Sequence, residues 1–349
     1  MRIVIATTQV PFIYGGGEIL AEELRDALQS EGHEAEVAAI PFKWYPPERI
    51  LDHMLACRLL DITESSGVAV DRVIGLKFPA YFIPHPNKVL WILHQYRTAY
   101  ELWDHPTLGD LIRFPNGVQI RSAIREADVR LISEAKRVFT ISGNVAKRLK
   151  QYGGIDATPL YPPPRHAEQF YGAAAEDYLF FPSRLAPLKR QALILEALAR
   201  TRQPVRVRFA GTAEHPSHAE ALRAQAHQHN IHQRVEWLGE VTEAEKHRQY
   251  AHALGVIYPP LNEDYGYVTL EAMLASKPIL TCTDSGGPLE FVRAGETGLI
   301  TEPIPKALAA AMDKLWAHRD EAKAMGEVGR AGYQNHGISW PGVVQHLLS

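Results

Sequence analysis

Two successive series of strand and helix patterns are the feature that most constrains how this chain folds. The first series opens with the apolar segment 2–6, which is followed by a glycine-rich loop, a helical pattern at 19–28 and an apolar segment at 36–40. This order predicts a βαβ unit, and such units build parallel, doubly wound sheets with helices on both faces. Further strands are predicted at 72–75, 88–93 and 137–141, with a helix at 122–135.

The second series begins after residue 175 and follows a stretch that disfavours regular structure. The residues responsible are Pro159, Pro162, Pro163, Pro164 and Gly172. We interpret 158–175 as a linker, with one α/β domain at 1–165 and another at 176–337. The second series predicts strands at 178–181, 205–209, 235–238, 254–258 and 278–282, and helices at 189–199, 219–227, 243–253 and from Gly266. Thr242 is predicted to cap the helix at 243–253.

Composition and charge exclude several classes of protein. A chain of 349 residues can bury two cores, and its net charge of −3 lacks the basic excess of a nucleic-acid-binding domain. Cys57 and Cys282 are too few for a disulfide framework, which favours a reducing cytoplasm. We therefore expect a cytoplasmic protein. No segment is long and apolar enough to span a bilayer. Peripheral contact with the inner membrane face and the oligomeric state stay open.

Two glutamates, Glu263 and Glu271, flank the start of the helix predicted from Gly266. The N-terminus of a helix offers free N–H groups and a positive dipole end, which together attract an anion. Carboxylates beside such a site suit a ligand with both phosphates and hydroxyls, such as a nucleotide sugar. In the alternative interpretation, Glu263 only complements the helix dipole and Glu271 is a solvated helical residue.

Two cations follow the first strand of the second series. Arg184 can contact a phosphate with its forked guanidinium, and Lys189 adds a mobile point charge five residues later. The alternative is that both side chains are simply solvated.

In the first series, Gly15, Gly16 and Gly17 stand between a strand and a helix, where backbone amides can approach a phosphate. A tight turn explains these glycines equally well. His94 follows the strand at 88–93, at the edge where ligands bind open α/β sheets. It is either a ligand contact or a structural histidine.

We predict no metal site. The histidines at 215, 218, 227, 229 and 232 fit no compact set of zinc ligands. The chain also lacks an Asp-x-Asp pair that could hold a divalent ion on a diphosphate.

Together these segments resemble the retaining family-4 glycosyltransferases (glycosyl transferase group 1). Glu263 and Glu271 are similar to the Glu-x7-Glu motif of that family. Residues 183–189 resemble its Gly-Arg-Leu-x-x-x-Lys segment, although Ser183 stands in place of the glycine. Residues 286–290 resemble its Gly-Gly-x-x-Glu turn. The resemblance is strong from 178 to 298 and absent from 41 to 70 and from 98 to 120.

The resemblance implies a GT-B fold, in which two Rossmann-like domains face each other across a cleft and residues 338–349 cross back to the first domain. It implies a nucleoside diphosphate sugar as donor, a hydroxyl acceptor and no cofactor or metal. At the reaction centre it places Glu263, Arg184, Lys189 and His94. On the donor side it places Gly16, Gly17, Gly211, Leu238, Gly266, Tyr267, Val268 and Glu271.

Two rival functions stay open. A Rossmann epimerase or oxidoreductase would need a Gly-x-Gly-x-x-Gly loop and an acidic ribose ligand, and the sequence has neither at the expected place. A non-catalytic nucleotide-sugar-binding subunit could keep the same fold. The sequence does not identify the base, the sugar, the acceptor or the linkage.

Overall fold

The computed structural model describes residues 1–213 and 215–349 and divides them into two compact units. The first unit contains residues 1–163 and 338–349, and the second contains residues 164–337. Residues 164–175, which the sequence analysis assigned to the linker, lie in the second unit, and these include residues 164–165, which it also counted in the first domain.

The first unit is built on a six-stranded parallel sheet. Its strands and helices are β1 (Arg2–Gln9), α1 (Gly16–Ser30), β2 (Glu34–Pro41), α2 (Glu48–Leu59), the hairpin strands β3 (Glu64–Ser65) and β4 (Val68–Ala69), β5 (Arg72–Gly75), β6 (Lys88–Ile92), α3 (Gly117–Ile132), β7 (Arg137–Thr140), α4 (Gly143–Gly153) and β8 (Thr158–Pro159). The sheet order is β2-β1-β5-β6-β7-β8. Every residue of β5 and β6 is buried, as expected for central strands covered on both faces.

The second unit repeats the plan with a second six-stranded parallel sheet. Its elements are β9 (Tyr178–Pro182), α5 (Gln191–Leu198), β10 (Arg206–Ala210), α6 (Pro216–Gln228), β11 (Val235–Gly239), α7 (Glu243–His252), β12 (Gly255–Ile257), α8 (Tyr267–Leu274), β13 (Ile279–Cys282), β14 (Gly298–Thr301), α9 (Pro305–Ala317) and α10 (Arg319–Asn335). The order is β11-β10-β9-β12-β13-β14. The predicted α/β class with two Rossmann-like sheets is therefore confirmed.

The last helix of the chain, α11 (Trp340–Leu348), is part of the first unit. Trp340 packs edge-on against Trp91 of β6, with ring centroids 6.2 Å apart. Arg72 of β5 donates a hydrogen bond to the carbonyl oxygen of Leu347 at 2.6 Å. These contacts fasten the chain terminus to the sheet of the first unit.

Several predicted helix boundaries are wrong for local reasons. The helix predicted at 189–199 begins at Gln191, because Pro187–Lys189 form a 3₁₀ turn and Arg190 adopts φ 57°. The helix predicted at 122–135 begins earlier, at Gly117, and ends at Ile132. The cap of α7 is confirmed, since the Thr242 side chain accepts a hydrogen bond from the backbone N–H of Glu245 at 3.2 Å.

Within the described residues, no helix has both the length and the apolar character needed to cross a membrane.

Candidate functional site

Lys189 and Glu263 form an ion pair at the carboxyl ends of β9 and β12. The Lys189 ammonium lies 2.6 Å from Glu263 Oε2 and donates a second hydrogen bond to the Tyr258 hydroxyl at 2.8 Å. The exposed fractions of the Lys189 and Glu263 side chains are only 15% and 18%. Burial, reinforced by the charge of Glu263, raises the pKa of Tyr258 well above its ordinary value. The phenol therefore stays neutral beside the ion pair.

The backbone around Glu263 is held by the turn after β13. The Glu263 amide donates to the Ser285 carbonyl at 2.9 Å, and the Gly287 amide donates to the Glu263 carbonyl at 2.8 Å. A Cβ at Gly287 would lie 2.4 Å from the carbonyl oxygen of Tyr265, so only glycine allows this approach. The Gly286–Gly287 turn thus has the architectural role that its sequence suggests. Pro288 lies in the 3₁₀ turn that follows, Gly287–Glu290.

Glu271 is a buried residue inside α8, which rules out the solvated alternative. It is 8% exposed, and both of its carboxylate oxygens have partners. Tyr250 donates its hydroxyl proton to Oε2 at 2.5 Å, and the Lys246 ammonium lies 3.3 Å from Oε1. Lys246 also lies 2.8 Å from Glu243, and these carboxylates keep the pKa of Lys246 above its ordinary value despite burial. No sequence motif marks Lys246 or Tyr250.

The N-terminus of α8 lies between the two glutamates in the chain. Gly266 precedes the helix with φ 86°, a left-handed conformation that glycine adopts without strain. A Cβ there would also approach a Pro288 ring carbon to 3.0 Å. Tyr267 and Val268 are the first two helical residues, so their N–H groups point out of the N-terminal end of the helix. This helix end can bind an anion.

Arg184, Gly211 and Leu238 belong to three neighbouring strand ends. Arg184 follows β9, Gly211 follows β10, and Leu238 is near the end of β11. Gly211 has φ 131°, and its amide donates to the Gly239 carbonyl at 2.7 Å. A Cβ at Gly211 would lie 2.4 Å from the carbonyl oxygen of Ser183. This glycine therefore lets the Ser183–Arg184 backbone lie against β10.

Arg190 is a further cation, and no role was predicted for it from the sequence. Its two terminal nitrogens contact both carboxylate oxygens of Asp284, at 2.7 and 2.6 Å. The Asn262 amide donates to the Asp284 carbonyl at 2.9 Å. Arg190 therefore ties the loop of Glu263 to the start of α5.

In the first unit, Gly16 and Gly17 are the first two residues of α1. A Cβ at Gly16 would meet nothing within 4 Å, whereas one at Gly17 would lie 3.2 Å from the Leu93 side chain. Glu18 accepts a hydrogen bond from the Gly15 amide at 3.0 Å and pairs with Lys77 at 2.8 Å. Lys77 is a cation near the N-terminus of α1 that was not predicted from the sequence.

His94 lies just past the carboxyl end of β6. Its Nδ1 is 2.8 Å from the Gln95 carbonyl oxygen, which can only accept. Nδ1 therefore carries the proton, and Nε2 keeps its lone pair in the neutral ring. The side-chain amide of Gln95 donates separately to an Asp128 carboxylate oxygen at 2.9 Å. Burial raises the pKa of Asp128 to about 6.

The structure thus groups the predicted residues by unit. At the strand ends of the second unit it collects Arg184, Lys189, Gly211, Leu238, Glu263, Gly266, Tyr267, Val268 and Glu271; Gly16, Gly17 and His94 belong to the first unit. No three His, Cys, Asp or Glu side chains among the described residues are grouped so that they could hold a metal ion.

Solved structures define the class of fold. Sucrose-phosphate synthase from Thermosynechococcus elongatus superimposes with a TM-score of 0.77 over 99% of this chain and 97% of its own, at 17% identity. Anabaena HepE, solved in complex with UDP and glucose, gives a TM-score of 0.72 over 100% and 98%, also at 17% identity. The chain has the GT-B fold of these proteins.

The sequence comparisons then define the family. Residues 168–332, a little under half of this chain, match the model of glycosyl transferases group 1. The predicted resemblance to the glycosyl transferases of group 1 is confirmed; the retaining family-4 subtype stays a prediction.

Curated relatives match over parts of their length. Alpha-1,3/1,6-mannosyltransferase ALG2 of Dictyostelium discoideum is 32% identical over 120 residues, which are 34% of this chain and 28% of that protein. D-inositol 3-phosphate glycosyltransferase of Geodermatophilus obscurus is 28% identical over 249 residues, 63% of this chain and 53% of that protein. The chain spans less than a third of ALG2.

Proposed function

We propose that this chain is a retaining glycosyltransferase that moves a sugar from a nucleoside diphosphate sugar to a hydroxyl acceptor. The observation that carries the proposal is the cluster in the second unit, where Lys189 pairs with Glu263 beside the N-terminus of α8 and Glu271 is held within that helix. The group 1 family match and the UDP bound by HepE support the same assignment.

In the proposed reaction, bond cleavage leaves the glycosyl group electron-poor and the nucleoside diphosphate more negative. Arg184, Lys189 and the amides of Tyr267 and Val268 stabilise the charge on the diphosphate where it develops. Glu263 orients the donor sugar, and Glu271 accepts hydrogen bonds from the ribose hydroxyls. The role of His94 as a contact of the donor sugar stays a prediction.

The donor assignment can be tested without knowing the acceptor. We expect one nucleoside diphosphate to raise the melting temperature of the purified chain in EDTA, because a ligand that binds only the folded state stabilises it. A panel of UDP, GDP, ADP and dTDP, with the corresponding nucleotide sugars, identifies the base.

We also expect sugar transfer to continue in EDTA, because Arg184 and Lys189 supply the positive charge that a divalent ion would otherwise supply.

Binding that appears only with added magnesium or manganese would contradict this electrostatic assignment. Binding of a nucleotide sugar without any turnover, across a panel of acceptors, would favour the non-catalytic subunit.

The stereochemical prediction concerns the product linkage. An α-linked donor is expected to give an α-linked product, because the acceptor hydroxyl attacks the anomeric carbon from the face that the diphosphate leaves. On that face the leaving diphosphate can take the acceptor proton, and no protein base is then required. Proton NMR of the anomeric coupling measures the outcome. A β-linked product from an α-linked donor would rule out the retaining mechanism while leaving the fold and family untouched.

A further inference from the structure

Two side chains of α7 fix both oxygens of the Glu271 carboxylate. Tyr250 holds Oε2 at 2.5 Å, and Lys246 lies 3.3 Å from Oε1. The side chains of Lys246 and Glu271 are only 18% and 11% exposed, so water competes little for these contacts. A carboxylate with one fixed partner on each oxygen cannot rotate without losing one of them.

The two partners are themselves held in place. The Tyr250 ring is fully buried and packs edge-on against Phe170 and Phe180, with centroid distances of 5.6 and 5.1 Å. Lys246 is shared with Glu243 at 2.8 Å, so its ammonium stays between two carboxylates. The position of Glu271 is therefore set by packing in α7 and β9 as well as by its own helix.

We propose that Tyr250 and Lys246 are positioning residues that hold Glu271 as a rigid two-oxygen acceptor for the ribose diol, and so make the site select ribonucleoside over 2′-deoxyribonucleoside diphosphates. This inference rests on the proposed function, because it assumes that Glu271 faces the ribose. It narrows the donor class, since it disfavours a dTDP-sugar.

The chemistry follows from the acceptor capacity of a carboxylate. Each oxygen has about two lone-pair positions. One position per oxygen is used by Tyr250 or Lys246, and the other can accept from a ribose hydroxyl. A 2′-deoxyribose leaves one of these acceptors unpaired in a largely buried site, which costs binding free energy. A site built to bind a hydroxyl discriminates strongly against the analogue that lacks it.

The experiment compares dissociation constants of UDP and 2′-deoxy-UDP by titration calorimetry, with GDP and ADP and their deoxy forms in parallel. We expect the wild-type chain to prefer the ribonucleotide by about tenfold or more. Tyr250→Phe keeps the buried ring and removes only the hydroxyl, and Lys246→Met keeps the aliphatic stem. Both are expected to reduce the preference to about threefold or less, because Glu271 becomes free to turn away from the diol.

Tyr178→Phe is the matched control. Tyr178 is also buried, and its hydroxyl donates to the Gln249 carbonyl of the same helix at 2.8 Å. This variant loses a buried hydroxyl without touching Glu271, so its ribose preference is expected to equal that of the wild type. If Tyr250→Phe fails to fold, Lys246→Met decides the question.

The results separate the two levels of the argument. If none of the nucleoside diphosphates binds the wild-type chain, the proposed function is wrong and this inference falls with it. If the ribonucleotide binds but the wild type does not prefer it, or if Tyr250→Phe and Lys246→Met keep the full preference, the positioning role is wrong and the donor assignment stands.

Discussion

Replacing Lys189 with methionine is expected to lower the rate constant of sugar transfer by at least about a hundredfold, because a preorganised charge that stabilises the leaving group contributes this much. The change also leaves Glu263, with a side chain only 18% exposed, without the cation at 2.6 Å. Part of the loss therefore has a structural cause. Initial rates at saturating donor, with the melting temperature of each variant, measure both effects.

Lys277→Met is the matched control for this substitution. Lys277 is 5% exposed, and its ammonium donates to the Ala173 carbonyl at 2.9 Å. It has no position in the proposed site, so we expect its loss to lower stability and leave the turnover number near that of the wild type. A second test uses Lys189→Met with Glu263→Gln. If this double variant recovers the wild-type rate, Lys189 only balances the charge of Glu263, and the catalytic role is wrong.

Gly211→Ala is expected to lower the free energy of unfolding by about 3 kcal/mol, because it combines an unfavourable backbone conformation with a steric collision. The φ angle of 131° is one that L-amino acids rarely adopt, and the new Cβ would lie 2.4 Å from the Ser183 carbonyl oxygen. Relief of that collision moves the backbone next to Arg184. We therefore also expect weaker binding of the nucleoside diphosphate, measured alongside urea unfolding.

Gly295→Ala separates the two causes. Gly295 also has a positive φ, of 78°, but a Cβ there would meet nothing within 4 Å. It is expected to cost only about 1 kcal/mol, the penalty of the left-handed conformation. It should leave nucleotide binding unchanged. Equal destabilisation by both substitutions would show that the contact with Ser183 does not constrain Gly211.

Some local features were wrong or absent in the sequence analysis because tertiary contacts decide them. Helix α2 was missed, since exposed Leu55 and Leu59 obscure the apolar face formed by Ile50, Met54 and Cys57. The start of α5 was misplaced, because nothing in the sequence shows that Arg190 adopts a positive φ and binds Asp284.

The sequence by itself indicated two parallel sheets in succession along the chain, all of their strands except β8 and β14, and the strand ends that carry the motif residues. Local periodicity and turn chemistry encode these features, because alternation of strands and helices leaves parallel packing as the stable arrangement. Only the tertiary structure decided that Lys189 pairs with Glu263 and that Tyr250 and Lys246 hold Glu271. Those contacts join residues on different elements, and their energies depend on distance and burial, which residue spacing along the chain does not specify.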